Sequence, residues 1–128
     1  LAQTGRPMIG YAFHSVEGFS KFGSYTGNGS SDGTFVYTGF RPAWIMTKRT
    51  NSTSNWLIID VKRDIDNVAH NRLIANATNT EATSVVATMD ILSNGFKRRD
   101  TNTDVNASGG TYIYLAFAEA PFKFANAR

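Results

Sequence analysis

A nearly uninterrupted apolar run close to the end of the chain constrains the fold more than any other segment. It extends from Tyr112 to Ala120, is rich in β-branched and aromatic side chains, and is closed by Pro121. A helix that crosses a bilayer needs about 20 residues, so these nine residues are too few to span a membrane in that form. Because the run is apolar on both sides of the chain, it predicts a strand buried on both faces, inside a sandwich rather than at its edge.

The composition is that of a folded domain with a weakly charged surface. Of the 128 residues 41% are hydrophobic, which predicts one domain over residues 1–128 rather than a disordered or membrane-embedded chain. Charged residues make up only 18%, the net charge is +3, and we expect the run Lys97-Arg98-Arg99 to be solvated charge at a strand edge. We therefore expect no nucleic-acid partner and no membrane partner. The lack of cysteine excludes disulfides and thiolate metal sites.

Short runs of β-forming residues alternate along the chain with clusters of Gly, Asn, Ser and Asp. This rhythm predicts an all-β fold, an antiparallel sandwich or a barrel. The turn at Asn94-Gly95 is the sharpest signal, since both residues tolerate a positive φ. Residues 64–71 stay open between a loop and one helical turn. The predicted strands cover residues 8–14, 20–25, 34–38, 41–49, 55–63, 72–75, 84–89, 95–98 and 111–118.

The clearest local prediction is a hairpin formed by residues 41–63 around the polar loop 50–54. If Arg49 faces Asn55, one side of the hairpin is almost entirely aliphatic and belongs in the core. A shift of the register by one residue would destroy this division. The core side then holds the pairs Thr47–Leu57, Ile45–Ile59 and Ala43–Val61, and the other side holds Lys48–Trp56, Met46–Ile58 and Trp44–Asp60.

The second side of this hairpin carries both tryptophans, Trp44 and Trp56, and two interpretations of it stay open. Large aromatic side chains are usually packed, which favours cover by a second core layer or by a neighbouring subunit. The other interpretation is a stacking platform for a sugar ring or a partner surface.

Catalytic chemistry finds little support in the sequence. His14, Ser15 and Glu17 are close together, but no glycine elbow surrounds the serine, so we predict an ordinary histidine bonded to a turn. Glycoside hydrolysis needs two acids about 5–10 Å apart, and only Glu17, Asp60 and Glu119 are candidates. We expect Glu119 to lie at a strand end and to pair with an arginine or with backbone amides. No catalytic residue and no enzyme activity are predicted.

Metal and phosphate sites are equally weak. Asp64, Asp66 and Asn67 offer oxygen ligands for Ca²⁺, but an EF-hand loop starting there would have Ala75 in place of its final Glu. The glycine-rich residues 27–33 lead into a strand, whereas a phosphate-binding loop leads into a helix. We therefore predict neither a metal nor a cofactor.

Several segments together resemble a domain of bacteriophage virion proteins, which recurs in tail-fibre-like and other structural proteins of phages. The resemblance implies a two-sheet antiparallel β-sandwich of the jelly-roll type, similar to concanavalin A, and a non-enzymatic module exposed on the virion. No catalytic motif comes with it. The resembling stretches cover most of the chain in order: YAFHSVEGFSKFGSYTGNG at 11–29, FVYTGFRPAW at 35–44, LSNGFK at 92–97, GTYIY at 110–114 and AFAE at 116–119.

With this resemblance, the chain is expected to be a virion structural protein, part of a tail fibre or spike that binds a glycan on the host surface. It would be assembled in the host bacterial cytoplasm, as a segment of or module within a larger assembly. Aromatic and amide chemistry selects the predicted ligand-binding residues, which are Trp44, Trp56, Tyr25, Asn28, Asp32 and Asn106.

The alternative is a capsid decoration or fibre-assembly protein that acts only through protein–protein contacts. In that case Trp44, Met46, Ile58 and Trp56, or the tail at residues 121–124, would be buried between chains. The expected partners are further copies of the chain, as a trimer in keeping with the symmetry of phage appendages, and other virion proteins.

Overall fold

A computed structural model describes residues 5, 7, 9–83 and 86–121 of the chain. Short β-forming segments separated by turns give an almost entirely β structure, with one single-turn helix. The strands of the described residues are β1 (Ser20–Thr26), β2 (Phe35–Tyr37), β3 (Pro42–Arg49), β4 (Trp56–Asp60), β5 (Asn71–Ile74), β6 (Ala82–Thr83), β7 (Met89–Leu92), β8 (Gly95–Arg98) and β9 (Thr111–Ala118), and the helix is α1 (Thr103–Asn106). Within the described residues, no helix is long and apolar enough to cross a membrane.

The strands form two antiparallel sheets that pack face to face, which confirms the predicted β-sandwich. The large sheet has six strands in the order β1-β9-β3-β4-β5-β6, and the small sheet has three in the order β2-β8-β7. The core lies between them, where Phe96 of β8 packs edge-on against Tyr25 and Tyr114 of the large sheet. Of residues 64–71, which the sequence left open between a loop and a helical turn, residues 64–70 form a loop and Asn71 begins β5.

The apolar run that begins at Tyr112 forms most of β9, in the interior of the large sheet between β1 and β3. The prediction that it is buried on both faces is only half right. Tyr112, Tyr114 and Ala116 are buried against the small sheet, whereas Leu115 and Phe117 on the other side are only partly buried. One face of this central strand is therefore not covered by a second layer within the described residues.

The predicted hairpin has the predicted register. Ile45 pairs with Ile59, and Thr47 pairs with Leu57, and all four side chains are buried. A two-sided pattern of this kind fixes register, because a slip of one residue would turn every core side chain towards solvent.

Two predicted strands are wrong. Residues 9–14 form no strand, and Met8 lies outside the described residues. Of residues 84–89, the first two also lie outside, and the strand begins only at Met89. Ala87 explains the late start, because its φ of 62° is incompatible with an extended strand.

The prediction that the whole basic run is solvated is wrong for Arg98. Its side chain is fully buried between the sheets, where Nε donates to the Tyr25 hydroxyl at 3.1 Å and Nη2 donates to Thr47 Oγ1 at 2.9 Å. The guanidinium lies 5.6 Å from the centre of the Phe96 ring. Because Phe96 points into the core, strand alternation directs residue 98 there as well. Two hydroxyls and aromatic rings replace part of the water around the charge, and Nη1 is buried without a hydrogen-bond partner among the described residues.

Candidate binding surfaces

The outer side of the large sheet is an apolar surface, which we call the large-sheet face. Its central row runs across five neighbouring strands, each residue being paired in register with the next. All five side chains are partly exposed. The row consists of Phe22, Leu115, Met46, Ile58 and Leu73.

One end of the large-sheet face is an aromatic cluster. Phe117 packs against Phe22 with ring centres 5.7 Å apart, and Trp44 lies 5.6 Å from Phe117 on the other side. Phe13 and Phe19, from the segment before β1, pack onto this cluster at 5.5 Å from Phe22 and 6.0 Å from Phe117 respectively. The segment before β1 therefore covers this end of the face, and the aliphatic remainder stays uncovered in the described residues.

Trp44 and Trp56 lie on the same face of the sheet, as the register requires. They are four register positions apart, or about 13 Å along the strands, so they cannot grip one sugar ring between them. Both are partly buried. Lys48, the partner of Trp56, donates from Nζ to the carbonyl of Ser54 at 2.7 Å and closes that end of the face.

Tyr25 was predicted to bind ligand, and the structure places it in the core instead. Its ring stacks on Tyr112 at 4.9 Å, and its hydroxyl donates to the carbonyl of Val105 at 2.8 Å. Burial raises the pKa of Tyr25 and the adjacent Arg98 offsets only part of this. The residue lies on the core side of β1 and has no surface to offer a ligand.

Asn106, the last residue of α1, is also fully buried and does not reach the surface as predicted. Its Oδ1 accepts from the amide of Asn28 at 3.1 Å, and its Nδ2 donates to Asn28 Oδ1, to the Ser30 carbonyl and to the Asp100 carbonyl at 2.8–3.0 Å. Asn106 thus fixes the position of Asn28, the loop residue that was also predicted to bind a ligand. The role of Asn106 itself is structural.

The sequence analysis missed the outer side of the small sheet, which we call the small-sheet face. Tyr37 and Phe35 on β2 are 63% and 45% exposed, on either side of the buried Val36. Phe35 pairs across the sheet with Lys97 of β8. The alternation of an aromatic, an aliphatic and an aromatic residue on an edge strand was the signal that could have identified this surface.

A charged cluster borders the two exposed rings. Lys97 Nζ lies 2.5 Å from Asp32 Oδ1, and Arg99 approaches both Asp32 at 3.8 Å and Asp90 at 3.3 Å. The hydrogen bond and charge of Lys97 lower the pKa of Asp32. The predicted residue Asp32 is highly exposed, and its backbone carbonyl accepts from Asn28 Nδ2 at 2.9 Å. Aromatic rings, two carboxylates and two cations therefore meet on one surface.

The residues considered for catalysis are engaged in structural contacts. Glu119 follows β9 and forms an ion pair with Arg41 at 2.7 Å, which confirms its predicted role. Asp60 accepts from the side chain and the amide of Arg63. His14 Nδ1 lies 3.0 Å from the carbonyl of Ser15, so its ring is directed at the backbone and not at the serine hydroxyl.

The loop that contained the candidate calcium ligands lines an open cleft of about 480 Å³. Asp64 is buried and accepts from the amides of His70 and Asn71 and from the side chain of Asn71. Asn67 exchanges two hydrogen bonds with the backbone of Ile91. These oxygens hold the loop, and no group of three or more His, Asp or Glu residues within the described part of the chain could hold a metal ion.

The fold and these surfaces define an antiparallel β-sandwich with one exposed face on each sheet. The chain belongs to the family described as Domain of unknown function (DUF7483), whose model matches residues 1–121. No curated protein and no solved structure matches the chain significantly. The likeness to phage virion domains and to concanavalin-A-like jelly rolls stays a prediction from the sequence.

Proposed function

We propose that the chain is a non-enzymatic structural module of a bacteriophage particle that binds a host-surface glycan through the small-sheet face. The observation that carries the binding role is the pair of exposed rings, Tyr37 and Phe35, beside the ion pair of Asp32 and Lys97. The assignment to a phage particle is supported by the sequence resemblance.

The small-sheet face offers the two kinds of contact that a sugar uses. An aromatic ring stacks on the apolar C–H side of a sugar ring, and its burial in the complex is favourable. The hydroxyls of the sugar need acceptors and donors at the rim of that contact, which Asp32, Lys97 and Arg99 can supply. The ion pairs hold these polar groups in place before a ligand arrives, so less side-chain freedom is lost on binding.

The large-sheet face has the chemistry of a protein contact, and we propose that a further copy of the chain covers it. The outer faces of two packed sheets point in opposite directions, so both surfaces can be occupied at once. Five strands about 4.8 Å apart and about 20 Å of strand length give a face of roughly 500 Å². A stable interface takes about 800 Å² from each partner. The exposed residues 9–13 adjoin the face through the stacking of Phe13 on Phe22 and can add the rest.

The glycan proposal is tested by adsorption of the intact protein to host cells and to a glycan array. We expect Tyr37→Ala to weaken binding by about tenfold, since loss of one stacked ring costs about 0.5–1.5 kcal/mol beyond its buried area. Ile65→Ala is the control, because Ile65 is also a highly exposed apolar residue, at 78%, but lies in the loop before β5. Binding that survives both Phe35→Ala and Tyr37→Ala would place the ligand elsewhere, and a wild-type protein that binds no glycan would refute this role.

The alternative function, capsid decoration or fibre assembly through protein contacts alone, is favoured by the continuous apolar row of the large-sheet face. Ile58→Lys places a charge within that row, and we expect it to weaken self-association measured by sedimentation velocity. Ser93→Lys, in the exposed turn of the small sheet, is the control. Self-association together with an absence of glycan binding would support this alternative.

A further inference from the structure

Residues 9–13 have the side-chain alternation of a strand but no strand partner among the residues of their own chain that the structure describes. Ile9 and Tyr11 are 82% and 81% exposed, and Phe13 follows in the same alternation. The residues between them are the small Gly10 and Ala12. Within the described part of the chain, the backbone of residues 9–13 makes no hydrogen bond. A segment with this pattern is stable as a strand only when a sheet edge accepts its backbone.

The edge strand β1 offers such a place around Ser24. The carbonyl of Thr26, at the end of β1, already accepts from Thr34 Oγ1 at 2.7 Å. The first half of β1 is covered by residues 14–16, since Val16 pairs with Ser20 and the amide of Phe22 donates to Ser15 Oγ at 3.1 Å. The amide of Phe22 therefore points away from β9, and strand geometry points the backbone groups of Ser24 the same way. Ser24 makes no hydrogen bond on that side among the described residues.

The side chains of the segment fit the two sides of this edge. A strand added beside β1 would place one alternate set next to Phe22, continuing the large-sheet face, and this set would be Ile9, Tyr11 and Phe13. The other set would lie on the core side next to Gly23, which is exposed there and whose added Cβ would lie 3.0 Å from the Tyr114 hydroxyl. Gly10 and Ala12 are small enough for that position.

The segment does not reach the edge in its own chain. A hairpin continued from the Val16–Ser20 bridge would carry residues 10–14 along β1, but Phe13 instead packs over Phe22 and Phe117 on the outer face. We propose that residues 9–13 add as a strand to the open edge of β1 in a second copy of the chain. This inference rests on the proposal that copies of the chain associate, and it names the segment and the edge through which they do so.

A proline in β1 or in the added segment tests the proposal, because it removes a backbone amide that pairing of the two strands needs. Ser24→Pro leaves the bonds between β1 and β9 in place, because the Ser24 amide points outwards. We expect it to raise the dissociation constant measured by sedimentation velocity by at least about tenfold, with an unchanged circular dichroism spectrum. Ser24→Thr keeps the amide and is the matched control. Tyr11→Pro, in the exposed segment, should have the same effect without any risk to the fold.

The outcomes separate this inference from the proposed face contact. Loss of association in both proline variants, with Ser24→Thr unaffected, supports strand addition. Association that both proline variants retain but Ile58→Lys loses overturns strand addition and leaves the face contact intact. A wild-type protein that is monomeric at all concentrations overturns both. Slow amide exchange at Ser24 in a dilute, monomeric sample would show that the segment closes on its own edge, which also overturns the inference.

Discussion

Asn106 allows a quantitative test of how the end of the sandwich is held together. Its buried side chain makes four hydrogen bonds, two to Asn28 and one each to the carbonyls of Ser30 and Asp100. Asn106→Ala removes all four contacts. Because Nδ2 has only two hydrogens for its three acceptors, the contacts amount to about three full hydrogen bonds, and at about 1 kcal/mol for each lost bond we expect a loss of about 3 kcal/mol. For a chain of this length that lowers the melting temperature by about 10 °C.

Asn106→Asp keeps the shape of the side chain but replaces the donor Nδ2 by an acceptor oxygen. The oxygen that replaces Nδ2 would face three acceptor oxygens at 2.8–3.0 Å. We therefore expect a larger loss than for alanine at pH 7. The same surroundings raise the pKa of the introduced carboxyl in the folded protein above its unfolded value. The folded form then holds a proton that the unfolded chain has released, so stability should recover as the pH falls towards about 4.

Thermal unfolding followed by circular dichroism at pH 4 and pH 7 measures both effects. Asn94→Ala is the control, since Asn94 is exposed in a turn and its loss should change stability by less than about 0.5 kcal/mol. The reasoning fails if Asn106→Ala is no worse than the control. It also fails if Asn106→Asp is as stable as the wild type at pH 7.

Three further predictions test the two sheets. Gly95→Ala should destabilise the fold by at least about 2 kcal/mol in urea unfolding, because its Cβ would lie 2.1 Å from a carbonyl oxygen of β2; an unchanged midpoint would contradict this. The carboxyl of Asp32 should titrate by NMR below an ordinary aspartate, and Lys97→Met should bring it back; the ion pair is lost as the pH falls through the pKa of Asp32. Ile45→Ala should cost about 3 kcal/mol and Ile58→Ala clearly less, since only the first faces the core; equal losses would refute the assignment of the two faces.

The sequence predicted the register of the hairpin of β3 and β4 because its two sides differ so clearly in polarity, although β4 ends at Asp60 and not at the predicted Arg63. Ile45 and Ile59 could be placed opposite each other from the pattern alone, and the tryptophans followed onto the other side. The β-forming runs between turn signals placed β8 and β9 with their observed bounds. The turn before β8 was right for another reason than the one given, because Gly95 has no positive φ and is needed for its close approach to β2.

The failures came from contacts between segments that are distant in sequence. Residues 9–14 have a strand pattern, but a pattern does not supply a neighbouring strand. Tyr25 and Asn106 carry polar atoms that suggested a surface, and their partners Val105 and Asn28 are about 80 positions away. The small-sheet face was missed because Phe35 and Tyr37 become a surface only when Val36 packs inwards.

The buried guanidinium of Arg98 should restrict which residues other members of this family carry at the positions around it. Its Nη2 is the partner of the Thr47 hydroxyl, whereas the Tyr25 hydroxyl has a second partner in a backbone carbonyl. In a homologue with an aliphatic residue at position 98, the threonine hydroxyl would lose this hydrogen bond. We therefore expect valine or isoleucine at position 47 in such sequences, and tyrosine retained at position 25. Positions 47 and 98 should therefore covary across the family although 51 residues separate them.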